Sequence, residues 1–503
     1  MFRTNPLMLI DFYKAVHEEQ YPEGTERIVS YYTPRKSRLD DKYCLVHFGL
    51  QYFLIEYLID WFDNEFFRKP IDKIRENYER YVESSIPDEN ELFPKIEALH
   101  KLGYLPLEIK SLPEGTIVPM GVPCVQIANT HKDFAWVVNT VESLLSNTLW
   151  HSQIAASVGY WYRQIVNEYY DLTVDDDVPR AKAMSLFSYR GEESNESGIL
   201  SSAGWLTSFV LSATVPSAQF MENYYNANVK NEEVNFGAVS TEHSVMCSNY
   251  AVDGDEITMV KRLLNDIYPN TSFSMVADSY DYWNMVDNIL PQCKEDIMRH
   301  NGKLNIRGDS GAPVNIVVNT VLSLWENFGG TVNSKGYKVL DPHIGVVYGD
   351  SITISRAKSI YDSLEYLGFA ANNVSLGAGS FSMQCLEEVV IEEPTKFETQ
   401  ALQPFTRDTY CSAVKATYCE VNGEPIPIYK DPKTDDGHFK KSHKGCCVVT
   451  EKADGGLMCI DGLTYEDACS WKGNLLETVY QNSSMVRRDS LSYIRNRLHE
   501  GKF

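Results

Sequence analysis

Four times an apolar run ends abruptly in a small, acidic or glycine-rich turn, and that pattern limits the folds open to this chain. The runs are Ser274-Met275-Val276-Ala277-Asp278-Ser279, Leu304-Asn305-Ile306-Arg307-Gly308-Asp309-Ser310-Gly311, Val346-Val347-Tyr348-Gly349-Asp350-Ser351 and Val374-Ser375-Leu376-Gly377-Ala378-Gly379-Ser380. Each reads as a buried strand, a tight turn and a helix start. Strands that alternate with helices predict a parallel sheet covered on both faces. In such sheets and barrels the carboxyl ends of the strands carry the active site. One acidic turn alone is better read as a helix N-cap. Four in sequence order point to a rim bearing three aspartates and a glycine, suited to a sugar, a metal and a phosphate.

Around this α/β stretch the patterning differs. Leu107–Lys110 and Ile117–Pro119 read as strands around the turn Pro113–Thr116, after helices at Tyr43–Phe67 and Ile71–Val82. Phe134–Val166 reads as a long helical region and Thr173–Pro179 as an acidic loop. β patterning returns at Ala413–Tyr418, Ile426–Tyr429 and Cys446–Val449, and Ser490–Leu498 closes the chain as a helix. The expected fold class is therefore α/β, with an irregular (β/α) barrel beside a mixed α+β domain built from both chain ends. The boundaries expected are 1–150 for the N-terminal part of the mixed domain, 151–385 for the barrel, 386–405 for an inserted acidic loop, and 406–503 for the C-terminal part.

The net charge of −23 opposes binding to nucleic acid or to an anionic membrane, since both need a positive field. An anionic substrate would need a local basic patch, a metal, or both. The start lacks a signal-peptide core, because Asp11 and Lys14 interrupt it, and Phe48–Phe62 is too polar and short to span a bilayer. The 11 cysteines are odd in number, none has zinc-type spacing, and adjacent Cys446-Cys447 fits neither a zinc nor a redox pattern. Reduced thiols in the cytoplasm are the expectation.

Several side chains suit chemistry on an anionic sugar. His243, in Ser240-Thr241-Glu242-His243-Ser244, follows a strand-like run and could act as acid, base or nucleophile toward phosphate. A lone histidine is more often structural, and only the acidic rim downstream shifts that balance. Phe187-Ser188-Tyr189-Arg190-Gly191 sets an aromatic face beside a guanidinium, which stacks well on a flat heterocycle, although a core position is the commoner fate of a residue like Phe187. Lys430-Asp431-Pro432-Lys433 and Lys440-Lys441-Ser442-His443-Lys444-Gly445 are unusual in so acidic a chain. They read either as a solvated surface or as a phosphate clamp, with Arg407 and Lys415 adding to the same field.

Taken together, these motifs resemble the nicotinamide phosphoribosyltransferases, within the type II phosphoribosyltransferases. Further markers are Asp11-Phe12-Tyr13-Lys14, Glu18–Pro22, Phe48–Tyr52, Asn333–Lys338 and Thr406-Arg407-Asp408, so the resemblance runs nearly the whole chain. It implies a barrel-like catalytic domain, a head-to-tail homodimer with shared sites, and transfer of phosphoribosyl from its pyrophosphate to nicotinamide in NAD salvage. By position, Phe187 and the partner subunit's Tyr13 would sandwich the pyridine, and Arg307 would line that pocket. Asp309 and Asp350 would hold the ribose. Asp278 would sit near Mg²⁺ carried by the pyrophosphate. Gly379, Arg190, and the partner subunit's Arg407 and Lys415 would grip the 5′-phosphate, and the partner subunit's Arg35, Lys430 and Lys440 would meet the pyrophosphate or ATP phosphates. His243 would be the histidine that ATP phosphorylates to drive the reaction.

Departures from the family pattern bear on the substrate. Leu211-Ser212-Ala213-Thr214 stands where the family usually has Gly-Thr-Asp-Thr, so Ala213 cannot accept a hydrogen bond from a carboxamide. Such a contact is worth roughly 1–3 kcal/mol, enough to shift selectivity between amide and acid. Gly308 replaces a proline and is expected to loosen the turn holding Asp309. Ser380-Phe381 follows the glycine cluster, Glu387–Pro404 is an acidic insertion read as a surface loop near the phosphate site, and Ala413 replaces a small hydroxyl residue. These leave open nicotinate as base, a larger ribosyl pyrophosphate as donor, and a non-catalytic nucleotide-binding relative.

Overall fold

A computed structural model describes residues 3–86, 92–349, 351–392, 397–435, 440–501 and 503. The chain divides into two compact units, one of 1–157, 223–227 and 406–501, the other of 158–222, 228–405 and 502–503.

In the first unit, strands from both chain ends share one antiparallel sheet. Its order is Glu424–Pro427, Ala413–Val421, Thr25–Thr33, Val125–Asn129, Leu107–Ser111, Glu477–Gln481 and Ser484–Met485. The register sets Tyr31 opposite Lys415 and Thr33 opposite Ala413. Side chains alternate across a strand, so Ala413, Lys415 and Thr417 share a face with Tyr31 and Thr33. The helix expected from Tyr43 begins later, with the helical run over 50–67. Leu45–Val46 pairs instead with Ile117–Val118, because its backbone groups find partners there before the turn at Gly49.

In the second unit, five strands form a parallel sheet in the order Met184–Leu186, Val374–Ala378, Ile344–Tyr348, Leu304–Gly308 and Phe273–Val276. These include all four runs whose tips drew notice in the sequence. Leu304, Ile306 and Gly308 are buried while Asn305 and Arg307 face a half-open side, the period-two pattern that aims Arg307 away from the core. The helix Pro313–Phe328 covers the other face through Val317, Val321 and Leu324. The sheet built from named strands is open. Isolated parallel bridges extend it at both edges, Leu186 with Ser212 and Leu211 with Phe236 on one side, Ser240 with Ser274 on the other. The acidic insertion is a hairpin rather than an irregular loop: Cys385–Glu392 pairs antiparallel with Phe397–Pro404. Its Val389-Val390-Ile391 stretch has the β-branched composition that favours a strand.

Candidate active site

The tips of adjacent parallel strands bring four predicted residues together. Asp278 follows the strand Phe273–Val276, and Arg307 and Asp309 close the neighbouring strand, where Val276 pairs with Arg307. His243 is the first residue of the helix His243–Asp253. Asp278 Oδ1 accepts from His243 Nε2 at 3.1 Å, and Asp278 Oδ2 accepts the Asp309 N–H at 3.3 Å. The Asp278 carboxylate is 5% exposed, whereas the imidazole it holds is 49% exposed. A buried carboxylate thus orients a solvent-facing histidine whose Nδ1 remains available as a nucleophile.

Arg307 completes the cluster. One guanidinium nitrogen lies 3.3 Å from Asp309 Oδ2 and the other donates to Ser240 Oγ at 2.8 Å. Its Nε is buried and has no partner among the described residues. Ser240 was not singled out from the sequence; its only signal was its place three residues before His243. Gly349 explains how tightly this corner is built, since a Cβ there would lie 2.6 Å from Asp309 Oδ1 and 3.0 Å from Arg307 Cδ. Gly308 is the last residue of its strand, opposite Tyr348 and immediately before Asp309. The glycine that the turn needs is Gly311, with φ of 91°. Asp350 lies outside the described residues.

At the neighbouring strand ends, the Phe187 N–H donates to Ala378 O at 2.8 Å, which sets Phe187 beside the buried Gly379. The Ala213 N–H donates to Leu186 O at 2.9 Å, so Ala213 lies alongside the half-buried Phe187 ring position and is itself exposed. Arg190 is exposed at the turn that follows.

The other predicted residues all belong to the first unit. Arg35, Lys415, Lys441 and His443 line a cavity of about 300 Å³ with Ala413 and Asp461. Burial holds the Lys415 ammonium below its ordinary pKa, Glu142 opposes that, and Arg35, Lys430 and Arg407 depress it further. Four predicted cations therefore share one field. Tyr13, 61% exposed, and Arg407 line a second cleft of about 630 Å³. Lys440 is exposed and does not line the first cavity; its neighbour Lys441 does.

Hard oxygen donors at Asp278 and Asp309 suit Mg²⁺, which keeps its remaining ligands from water and substrate phosphate. An acidic, arginine-braced tip beside a histidine, with a separate cationic cavity, is the equipment for handling a phosphorylated sugar.

Residues 183–483 match the Nicotinate phosphoribosyltransferase (NAPRTase) family, and residues 5–109 match the Nicotinamide phosphoribosyltransferase N-terminal domain. The chain belongs to the nicotinate phosphoribosyltransferase family. As a member it is a phosphoribosyltransferase, and so a pentosyltransferase enzyme. A nicotinamide phosphoribosyltransferase of Acinetobacter baylyi is 36% identical over 99% of this chain and 97% of its own length. One of Xanthomonas campestris pv. campestris is 28% identical over 98% of each. Among solved structures, nicotinate-nucleotide pyrophosphorylase from Pyrococcus furiosus superposes with a TM-score of 0.58 at 13% identity, covering 99% of this chain and 95% of that one. Human nicotinic acid phosphoribosyltransferase gives 0.52 at 13% identity, covering 98% and 93%. At such identities the likeness is one of family fold. No described helix is long and apolar enough to cross a membrane.

Proposed function

We propose that this enzyme transfers phosphoribosyl from phosphoribosyl pyrophosphate to nicotinamide, giving nicotinamide mononucleotide and pyrophosphate for NAD salvage. The observation that carries the reading is the buried Asp278 carboxylate, joined to His243 and to the Asp309 backbone at the ends of two parallel strands. In the reaction the pyridine nitrogen lone pair forms the bond to ribose C1 as the C1–O bond breaks and its electron pair leaves with pyrophosphate. No base is needed, because that nitrogen carries no proton. Asp309 stabilises the positive charge that develops on the ribose, with Arg307 holding its carboxylate in place. Phe187 offers a face for the pyridine. Mg²⁺, when bound beside Asp278, would neutralise charge on the departing pyrophosphate.

The isolated bridges through 211–212 and 236–240 support closure of the parallel strands into the family's barrel. We assign the first unit's Tyr13, Arg35, Arg407, Lys415, Lys430 and Lys440 to a site completed across a homodimer, and place the enzyme in the cytoplasm, where its cysteines stay as thiols. Ala213 favours one second reading, nicotinate as the base, because no carboxylate stands there to accept from an amide. Supplying nicotinamide, nicotinate and phosphoribosyl pyrophosphate together and identifying products by mass spectrometry separates the two. Nicotinamide mononucleotide should dominate; a dominant nicotinate mononucleotide overturns the choice of base, and neither product overturns the transferase reading.

His243 is positioned to take a phosphoryl group from ATP on Nδ1 while Nε2–H stays on Asp278, so that ADP leaves and the charge on the ring is balanced. His243→Ala is expected to abolish ATP stimulation while slow, ATP-independent transfer persists. Equal loss of both rates would make the imidazole structural.

A further inference from the structure

A thiol-rich cluster in the first unit is not used by the reaction above. The strands Cys446–Glu451 and Leu457–Leu463 form an antiparallel pair in which Val449 faces Cys459. Alternation then sends Cys447, Cys459 and Asp461 to one side of the ribbon. A register shift follows: Cys446 pairs with Leu463 but Val448 with Ile460, so the second strand fits one extra residue at 461–462. The loop that begins with the lysines delivers His443 to the same side. Ligating atoms of His443, Cys447 and Cys459 all lie within 4.8 Å of one another. Cys459 Sγ is 3.8 Å from His443 Nδ1, and Asp461 Oδ2 is 3.4 Å from the same nitrogen.

The histidine is oriented for ligation. His443 Nε2 donates to Gly121 O at 2.9 Å, which fixes the tautomer and turns the Nδ1 lone pair toward the sulfurs. A backbone carbonyl on the far ring nitrogen is the support that metal-bound histidines use. Two sulfurs and one imidazole within 4.8 Å of one another supply three donors of a tetrahedral site, in which metal–sulfur bonds of about 2.3 Å and metal–nitrogen bonds of about 2.0 Å would draw them to under 4 Å apart, with water at the fourth position.

We propose that His443, Cys447 and Cys459 form a binding site for a divalent metal of the zinc class. The soft thiolates select against Mg²⁺ and Ca²⁺, which take oxygen ligands. Binding displaces the proton from each thiol, and two thiolates give a Zn²⁺ complex no net charge. That balance matters, because Arg35, Lys415 and Lys441 line the cavity that His443 and Asp461 share. A bare dication would be repelled there, whereas the neutral complex is not. The metal would clip the basic loop to the strand pair and fix the wall on which His443 stands.

The test uses the full-length, reduced, metal-free enzyme titrated with Co²⁺. Thiolate-to-cobalt charge-transfer absorption and tetrahedral d–d bands should saturate at one Co²⁺ per chain. In Cys459→Ser the charge-transfer band should fall to about half, with affinity weaker by on the order of 10–100-fold. Cys469→Ser, which alters an exposed thiol outside the cluster, should match the wild type. As a second measurement, Zn²⁺ at one concentration should raise Tm more in the wild type than in Cys459→Ser, which covers the case in which the fully buried Cys447→Ser fails to fold. Absence of a charge-transfer band, a band that persists undiminished in Cys459→Ser, or a Cys447–Cys459 disulfide that forms in reducing buffer and excludes Co²⁺ would each overturn the site.

Discussion

Asp309→Asn is expected to lower kcat by about 10²–10³-fold while KM for the pyridine base stays within a few-fold. The substitution keeps size and shape, so the backbone N–H that Asp309 gives to Asp278 Oδ2 at 3.3 Å is retained. Only the charge goes. If the carboxylate acts by opposing positive charge on ribose, its effect belongs to the transition state, where that charge exists, and not to the bound base, which is neutral. Arg307 would then lose its ionic partner at 3.3 Å but keep Ser240 at 2.8 Å, so the pocket wall should stay in place. Steady-state rates at saturating phosphoribosyl pyrophosphate, with nicotinamide varied, check this directly. A kcat within twofold of wild type would remove Asp309 from the chemistry. A rise in KM with kcat unchanged would make it a binding residue only.

Much of this site was legible in the sequence because its logic is local. The parallel strands Phe273–Val276, Leu304–Gly308, Ile344–Tyr348 and Val374–Ala378 follow from apolar runs ended by turn residues. Two of these runs end at predicted residues that the fold brings together, Asp278 on one and Arg307 with Asp309 on the other. What stayed hidden depends on pairing between distant segments. His443, Cys447 and Cys459 have no zinc spacing, and adjacent Cys446-Cys447 fits no motif. They meet because pairing of Val449 with Cys459 sets both cysteines on one side of a ribbon and the preceding loop brings His443 there. Ser240 was hidden in the same way, since its partner Arg307 lies 67 residues onward. The cationic cavity was half visible. The lysine-rich loop stood out by charge, but charge alone does not say that Lys441 rather than Lys440 lines the wall.

Mixing two inactive variants should restore activity if the site is completed across a dimer. The acidic tip of Asp278, Arg307 and Asp309 belongs to the second unit, while Arg35, Arg407 and Lys415 belong to the first. A head-to-tail pair would then build each site from the second unit of one protomer and the first unit of the other. Asp309→Asn disables the former contribution and Lys415→Ala the latter, the ammonium being one of the cations that line the cavity. In a mixed dimer, one site collects both lesions and the other collects neither. Unfolding and reassembling equal amounts of the two variants makes half of the dimers mixed, each with one intact site, so about a quarter of wild-type activity should return. Each variant reassembled alone should stay at its own residual rate, and kcat per intact site should equal that of the wild type. Native mass spectrometry with one variant isotopically labelled establishes that mixed dimers have formed. If they have formed and no activity returns, both lesions strike the same site within one chain, and the shared-site reading falls while the chemistry at Asp309 stands.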